Sequence, residues 1–384
     1  MLNSSSDNFE SACELVEVLL KKFMKSVLFL FLAATIAASA RQTENIIFVM
    51  TDGLRWQEVF NGAEADLMDR TNGGVADVAN LKKEFWRDLP DERRAALMPF
   101  VWKVMAQQGQ IYGNPNKGSV ARVTNGLKFS YPGYSETLCG FADPRIDSND
   151  APPNPNVTVL EWLNRKPLFH HHVAAFGAWA AFDRIFNRDR CDFYVNAAFA
   201  PVTNGPISPC ARLLNQLKVE TPKYVEDEPY DSLEFYAALE YFKANHPRVF
   251  YVSLGETDEW AHMGRYDEYL AAAHRADEYV RTLWETAQSL PQYRGKTTLI
   301  FSPDHGRGSG LRAWRDHGKN VDGAENIWLA ALGPDTSALG ERANISDVTQ
   351  NQIAATLAAL LGEDYCADVP QAGKPIADVI GKKP

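Results

Sequence analysis

The chain has five cysteines in 384 residues, and Cys13, Cys139, Cys191, Cys210 and Cys366 form no C-x-x-C spacing, so a zinc ribbon has no support. Basic charge is scarce as well. Lys and Arg number 39 against 49 Asp and Glu, a formal net charge of −10, and the positive footprint needed for binding nucleic acid polymers or anionic membranes is missing. Small or neutral partners fit such a chain, and any anionic ligand would need local positive charge from a metal or from arginine. No internal repeat and no low-complexity tract is present. With 23% charged, 45% hydrophobic and 11% aromatic residues, the composition argues against disorder and supplies a substantial core.

Long apolar runs are also rare. Val27–Ala38, VLFLFLAATIAA, is too short for a membrane span; it follows Lys21, Lys22 and Lys25 and closes on the small residues Ala38-Ser39-Ala40. That is the pattern of a cleaved signal peptide, with an uncleaved amphipathic anchor as the alternative. The expected organisation is an upstream extension over residues 1–23, a signal peptide from Met24 to Ala40, and one domain over residues 41–384 with loop insertions, exported to a periplasm or the exterior and without a stable membrane span after cleavage. Removal of the leader takes Cys13 with it. One or two disulfides among the remaining four cysteines suit an oxidising compartment, with three pairings open.

Strand-length apolar runs alternate with helix-period segments, which predicts an α/β fold with a central, mostly parallel sheet covered by helices on both faces. Strands are expected at Ile46–Thr51, Val173–Gly177, Val249–Leu254, Thr298–Ser302 and Ile327–Leu332. Helices are expected at Glu92–Gln108, Thr158–Asn164, Leu233–Asn245, Tyr266–Ser289 and Asp347–Leu361. In Tyr266–Ser289 the stripe Leu270, Ala273, Val280, Leu283, Trp284 and Ala287 marks a core-facing side. Residues 54–90 and 141–156 break the alternation, and the second, rich in Pro and Asn, reads as an irregular surface loop. The triplet His170-His171-His172 stands at the entrance to a strand, where alternate side chains diverge, and reads as a solvated loop edge.

Three of the apolar runs end in acids. NIIFVMTDG ends at Asp52, VFYVSLGETDEWAH at Asp258 with His262 four residues on, and TTLIFSPDHG at Asp304-His305. Ligands of open α/β sheets bind at the carboxyl ends of the strands, so this topology gathers three carboxylates on one rim, where their mutual repulsion calls for a cation. In one helical turn Asp258 and His262 share a face, and WRDHGKN adds His317. Mixed carboxylate and imidazole donors suit zinc and related transition metals rather than calcium or magnesium. Three Asp and three His exceed one tetrahedral shell, and two divalent metal ions about 3.5–4 Å apart are the natural reading.

The ordered set TDG, ETDEWAH, SPDHG and DHG, spread from about Asn45 to Leu361, closely resembles the metal-binding framework of the alkaline phosphatase superfamily, in particular its nucleotide pyrophosphatase/phosphodiesterase-like branch. The resemblance implies that Asp52, Ser130, Asp304 and His305 hold one zinc ion and Asp258, His262 and His317 the other. Ser130, in FSYPGYSETLCG, matches the family's nucleophile, an alcohol activated by the metal; Thr124, in RVTNG, is the rival, and Ser135 is part of the helix that follows. Backbone N–H groups behind Pro132 would face the transferring anion. Asn149, in RIDSNDAP, falls where related phosphodiesterases place a donor to a phosphoryl oxygen, with a turn asparagine as the alternative. GRGSG lacks the Lys-Ser/Thr of a P-loop and is expected to be a flexible turn.

The sulfatase frame C/S-x-P-x-R is absent, since Pro144 and Arg145 arrive too late after Cys139, and phosphoglycerate mutases and phosphopentomutases of this framework work inside the cell, where a leader is out of place. The implied activity is an exported two-metal hydrolase of small-molecule phosphate esters, working on a phosphodiester or phosphomonoester through a covalent phospho-enzyme. A strict phosphomonoesterase would need a further cation, for which Arg265, Arg307 and Arg312 are candidates. A retired metal-binding protein on the same fold is the non-enzymatic alternative. Zinc against manganese, and the oligomeric state, stay open.

Overall fold

Asn45–Thr51 is a strand because its apolar, largely β-branched and aromatic residues have a core to fill on each side. Ile46, Phe48 and Met50 enter one hydrophobic cluster, and Ile47 and Val49 enter another. A strand buried on both faces reads as a continuous apolar run rather than as an alternating one, and every residue of this one is buried. The computed structural model describes residues 41–381, of which Gln42–Gly381 form one compact unit; the expected leader, Met24–Ala40, and Cys13 lie outside the described residues.

The main sheet has eight strands: β1 (Asn45–Thr51), β2 (Gln110–Tyr112), β3 (Val173–Gly177), β4 (Tyr194–Ala197), β5 (Val249–Leu254), β6 (Thr297–Pro303), β7 (Leu329–Leu332) and β8 (Gly340–Glu341). Their spatial order is β8-β2-β7-β6-β1-β5-β3-β4. The stretch from β6 to β4 is parallel throughout, whereas β7 runs antiparallel to both β6 and β2. A three-stranded sheet of Val348–Thr349, Ala121–Arg122 and Asn326–Ile327 stands beside it. The expected strand Ile327–Leu332 is therefore divided between two sheets at Trp328.

Eight helices matter for the site and its supports: α1 (Trp56–Asn61), α2 (Ser130–Cys139), α3 (Val159–Asn164), α4 (Pro209–Glu220), α5 (Asp231–Asn245), α6 (Glu256–His262), α7 (Tyr266–Ser289) and α8 (Ile353–Leu360). The expected helix over Glu92–Gln108 is broken. Pro90–Leu97 stops at Met98, which adopts φ −127° and ψ 72° because a residue before proline is driven from the helical region; a π-turn over Val101–Met105 follows. Asp277 of α7 caps that new start, accepting from the N–H groups of Phe100 and Val101 at 2.7 and 2.8 Å. The helix expected over Asp347–Leu361 begins later, at Ile353, after the strand Val348–Thr349 and a 3-10 turn at Gln350–Gln352. Residues 54–90, expected as an excursion, contain α1 and the helix Val78–Phe85, and residues 141–156 hold neither helix nor strand.

Among the described residues no helix is long and apolar enough to cross a membrane. Cys139, Cys191, Cys210 and Cys366 are free thiols, so the expected disulfides are not formed: Cys139 is buried beneath Asn154 and Ser135, while Cys210 is exposed on α4.

Candidate active site

The carboxyl ends of β1, β5 and β6, neighbours in the sheet, deliver the acids. Asp52 follows β1 directly, Asp304 follows β6, and α6 starts two residues after β5 to carry Asp258 and His262. The register makes this convergence a consequence of pairing: Thr51 lies opposite both Leu254 and Pro303. His317 comes from the loop after Gly310–Ala313 and completes the rim.

His305 is the hub. Its Nδ1 lies 2.9 Å from the Gly306 carbonyl, which can only accept, so the proton resides on Nδ1 and the lone pair on Nε2 faces the acids. Nε2 is 3.1 Å from Asp52 Oδ1, 3.6 Å from Asp304 Oδ2 and 3.9 Å from Asp258 Oδ1, and the Ser130 hydroxyl lies 3.4 Å away. Asp52 Oδ1 and Asp304 Oδ2 are buried without a hydrogen-bond partner. Their other oxygens are held: Tyr134 donates to Asp52 Oδ2 at 3.1 Å, and the N–H groups of Gly53 and His305 donate to Asp304 Oδ1 at 3.0 and 2.8 Å. Each carboxylate thus turns one fixed, unpaired oxygen toward an imidazole lone pair, an arrangement that repels itself unless a cation or a proton sits among the three. Burial, followed by the facing carboxylates (Asp258 for Asp52, Asp52 for Asp304), pushes both acids well above the ordinary carboxylate range.

A second group lies alongside. His262 Nε2 is 3.1 Å from Asp258 Oδ2 and 2.9 Å from His317 Nε2, and His317 Nε2 is 3.5 Å from Asp258 Oδ1. Burial and the neighbouring His305 hold His317 far below the usual imidazole range, so its ring is neutral, and its buried Nδ1 has no partner. Asp258 differs from the other two acids. Burial acts against its ionisation, but the Arg307 guanidinium paired to its Oδ1, with His317 and His262, holds it well below the usual range. Sets of ligating atoms from Asp52, Asp304 and His305, and from Asp258, His305 and His317, each lie within 4.8 Å of one another. Both are candidate metal-binding groups, sharing His305, and the donor chemistry with the orphaned oxygens of Asp52 and Asp304 fits a divalent cation.

Gly53 and Gly133 permit the close approach. Gly53 has φ +59°, and a Cβ there would meet Arg307, Asp258 and His305 at 2.7, 2.8 and 3.1 Å; a Cβ on Gly133 would come within 2.4 Å of the Asp304 carbonyl oxygen. The first turn of α2 is thereby pressed onto the end of β6, with Ser130 as its first residue and only 6% exposed.

Asn149 is brought to the same turn. Its Oδ1 accepts from the Tyr131 N–H at 3.0 Å, one residue from Ser130, which leaves its amide NH2 as a donor. Thr124 goes elsewhere: its hydroxyl donates to Glu136 at 2.8 Å. Ser135 receives a bond from Asn154 within the core. Of the arginines, Arg307 is buried and fixed by Asp258 and by the carbonyls of Trp314 and Arg315, Arg265 pairs with Asp267 and Glu268, and Arg312 is exposed. Sequence reasoning missed Tyr134, which stands four residues after Ser130 on α2 and receives a bond from Ser253 at 2.9 Å; the i,i+4 spacing from Ser130 was the available signal. It also missed Gln350, whose amide bonds the Asp304 carbonyl, and no local pattern marks that residue.

The sheet order and the site at its carboxyl edge define the alkaline-phosphatase-like fold. Alkaline phosphatase PafA superposes over 89% of this chain and 99% of its own with a TM-score of 0.58 at 11% identity. A putative sulfatase from Bacteroides thetaiotaomicron covers 87% of this chain and 74% of its own (TM-score 0.52, 14% identity), and the lipoteichoic acid synthase LtaP from Listeria monocytogenes covers 90% and 76% (TM-score 0.51, 12% identity). At such identities the likeness is one of fold. No protein-family model and no curated protein matches the sequence.

Proposed function

We propose that this protein is an exported, metal-dependent hydrolase of small-molecule phosphate esters, with phosphodiesters preferred. The observation that carries the reading is the Ser130 hydroxyl at the start of α2, 3.4 Å from His305 Nε2 and beside the unpaired oxygens of Asp52 and Asp304. The first cation would be held by Asp52, Ser130, Asp304 and His305 and the second by Asp258, His262 and His317. Two such ions, zinc being favoured by the donor set, would lower the pKa of the serine hydroxyl and offset charge on the entering and leaving oxygens.

Ser130 Oγ gives its proton to water and attacks phosphorus in line, the bond to the ester oxygen breaks, and the leaving alkoxide takes a proton back from water to depart as the alcohol. A water molecule then displaces Ser130 from the phosphoserine, releasing a phosphomonoester and restoring the hydroxyl. The Asn149 amide NH2 would donate to a non-bridging oxygen; in the first turn of α2 the Tyr131 and Gly133 N–H groups are taken by Asn149 and by the Phe129 carbonyl, and Pro132 has none. His305 keeps its proton on Nδ1, held by Gly306, and its Nε2 lone pair faces Ser130 and the acids; a cation bound there would use that lone pair and leave His305 a ligand rather than a base. Arg265 and Arg307 are tied up by carboxylates and Arg312 is exposed, so none of the three is held at the buried rim for the second charge of a monoester dianion; this favours the diester. Cys139 stands at the far end of α2, about 14 Å along the helix from Ser130, with its thiol pushed up to about 12 by burial, which speaks against a sulfatase-type nucleophile.

The test is metal analysis of the purified mature protein together with hydrolysis of an aryl phosphodiester, an aryl phosphomonoester and an aryl sulfate. About two metal equivalents and a preference for the diester are expected; preference for the sulfate, or ester turnover undiminished after exhaustive chelation, would overturn the reading.

A further inference from the structure

Arg307 carries a fixed positive charge into the rim. It is 1% exposed, and three acceptors hold its guanidinium: Nε donates to the Trp314 carbonyl at 3.1 Å, Nη2 to the Arg315 carbonyl and Nη1 to Asp258 Oδ1. Two of the three belong to the backbone. They are held in turn, because the Trp314 ring is buried against Tyr266 and Tyr269 at 5.2 and 5.8 Å, and the Gly308 N–H closes the loop onto the Asp316 carbonyl at 3.0 Å. The direction of Nη1 is therefore set by the loop that leads to His317, not by Asp258 alone. A Cβ at Gly53 would meet Arg307 Nη1, Asp258 and His305 together, so the guanidinium reaches the junction of the two candidate metal groups.

This makes the two groups unequal. In the first, Asp52 Oδ1 and Asp304 Oδ2 are both without a partner, and two carboxylates answer one divalent charge. In the second, Asp258 is the one acid among the ligating side chains. Its Oδ1, which approaches His317 and His305 at 3.5 and 3.9 Å, is the oxygen already paired with Arg307, while Oδ2 faces His262 at 3.1 Å. With the guanidinium counted, these side chains are formally neutral before an ion enters. A divalent ion there stands beside a fixed positive charge in a buried setting, where repulsion is poorly screened.

We infer that Arg307 sets the order of metal binding: the group of Asp52, Asp304 and His305 takes its ion tightly, and the group of Asp258, His262 and His317 holds its ion weakly, because Asp258 is already neutralised from within the chain. The inference rests on the metal part of the reading above and not on the ester. As available metal falls, the protein passes through a one-ion form that keeps the ion on the side of Ser130.

The experiment withdraws zinc from the zinc-loaded protein by graded competition with a chromophoric chelator and reads the dissociation constant of each ion. The two constants are expected to differ by about 100-fold or more, and Arg307→Gln, which keeps an amide donor and removes the charge, is expected to tighten the weaker ion and bring them within about tenfold. Arg307→Lys keeps the charge and is expected to keep the gap. His317→Gln, which leaves Arg307 in place, is expected to lose the weaker ion alone, so the assignment does not depend on how Arg307 variants fold. Two ions released together by the wild type, or loss of the tighter ion in His317→Gln, overturns the inference and leaves the hydrolase reading standing. One ion in the wild type and two in Arg307→Gln supports the inference and corrects the ion count of that reading; one ion in both overturns the inference. A wild type that binds no zinc overturns both.

Discussion

His305 Nε2 and Asp52 Oδ1 stand 3.1 Å apart, and neither brings a donor to the contact: the His305 proton is held on Nδ1 by the Gly306 carbonyl, and no neighbouring group donates to the Asp52 oxygen. Asp304 Oδ2 repeats the relationship from the other side at 3.6 Å. Two fixed acceptors aimed at a third are tolerable in a buried setting only around a positive charge, a metal ion or, failing that, a proton taken up by one of the acids.

The first prediction is read in metal content. Asp304→Asn keeps a side chain of the same shape but removes the anionic oxygen facing His305. The purified variant is expected to carry about one metal equivalent fewer than the wild type and to lose about 100-fold or more in kcat/KM, since even partners outside the coordination shell cost about 10–100-fold. Equal metal content in the two proteins would mean that this trio holds none.

A second prediction separates the two alcohols. Ser130→Ala is expected to abolish labelling of the protein as a phospho-enzyme in a quenched reaction while metal content is retained. Thr124→Val is expected to leave labelling intact, because the Thr124 hydroxyl is already donated to Glu136. Its cost falls on stability, about 1–3 kcal/mol for a buried carboxylate oxygen losing a donor, and thermal unfolding measures it. Labelling that survives in Ser130→Ala and vanishes in Thr124→Val would exchange the two roles.

Asn149 permits a finer test, because its two amide atoms have different tasks. Asn149→Asp preserves the acceptor for the Tyr131 N–H and removes the NH2 donor, so α2 keeps its start while the phosphoryl oxygen loses a partner. A fall in kcat of about 100-fold, in the range for loss of one oxyanion donor, is expected with little change in melting temperature. An unchanged kcat would reduce Asn149 to a cap.

The legible parts of this molecule were those where one residue type has one physical use. β1, β3, β5 and β6 were visible because strands buried on both faces must be apolar throughout, and their acidic endings marked the rim that Asp52, Asp258 and Asp304 now occupy. α7 was legible to its last residue, since 24 residues of helical periodicity leave no rival. The break at Met98 was signalled by Pro99 and overridden by the periodicity around it. β2 and β4 are three and four residues long and exist because neighbours offer hydrogen bonds, a tertiary cause that leaves little local trace.

The last prediction concerns Asp277, whose carboxylate joins α7 to the turn at Phe100 and Val101. Burial raises its pKa from the ordinary 3.8 to about 7, against the pull of the two N–H donors. In the unfolded chain the group ionises near its ordinary value, so between about pH 4 and pH 7 the folded protein binds the proton more tightly. The stability this contributes is complete below the lower value and is lost as pH rises through the upper one, at up to about 1.4 kcal/mol per pH unit. Asp277→Asn cannot titrate and keeps one acceptor for the two N–H groups, at a cost of about 1–3 kcal/mol for the donor left unpaired. Denaturant unfolding at pH 5, 6 and 7 is expected to show the wild-type advantage over Asp277→Asn shrinking with rising pH. A gap that stays constant, or widens, would place the ionised carboxylate in the folded state across the whole range and reverse the balance between burial and hydrogen bonding at this helix start.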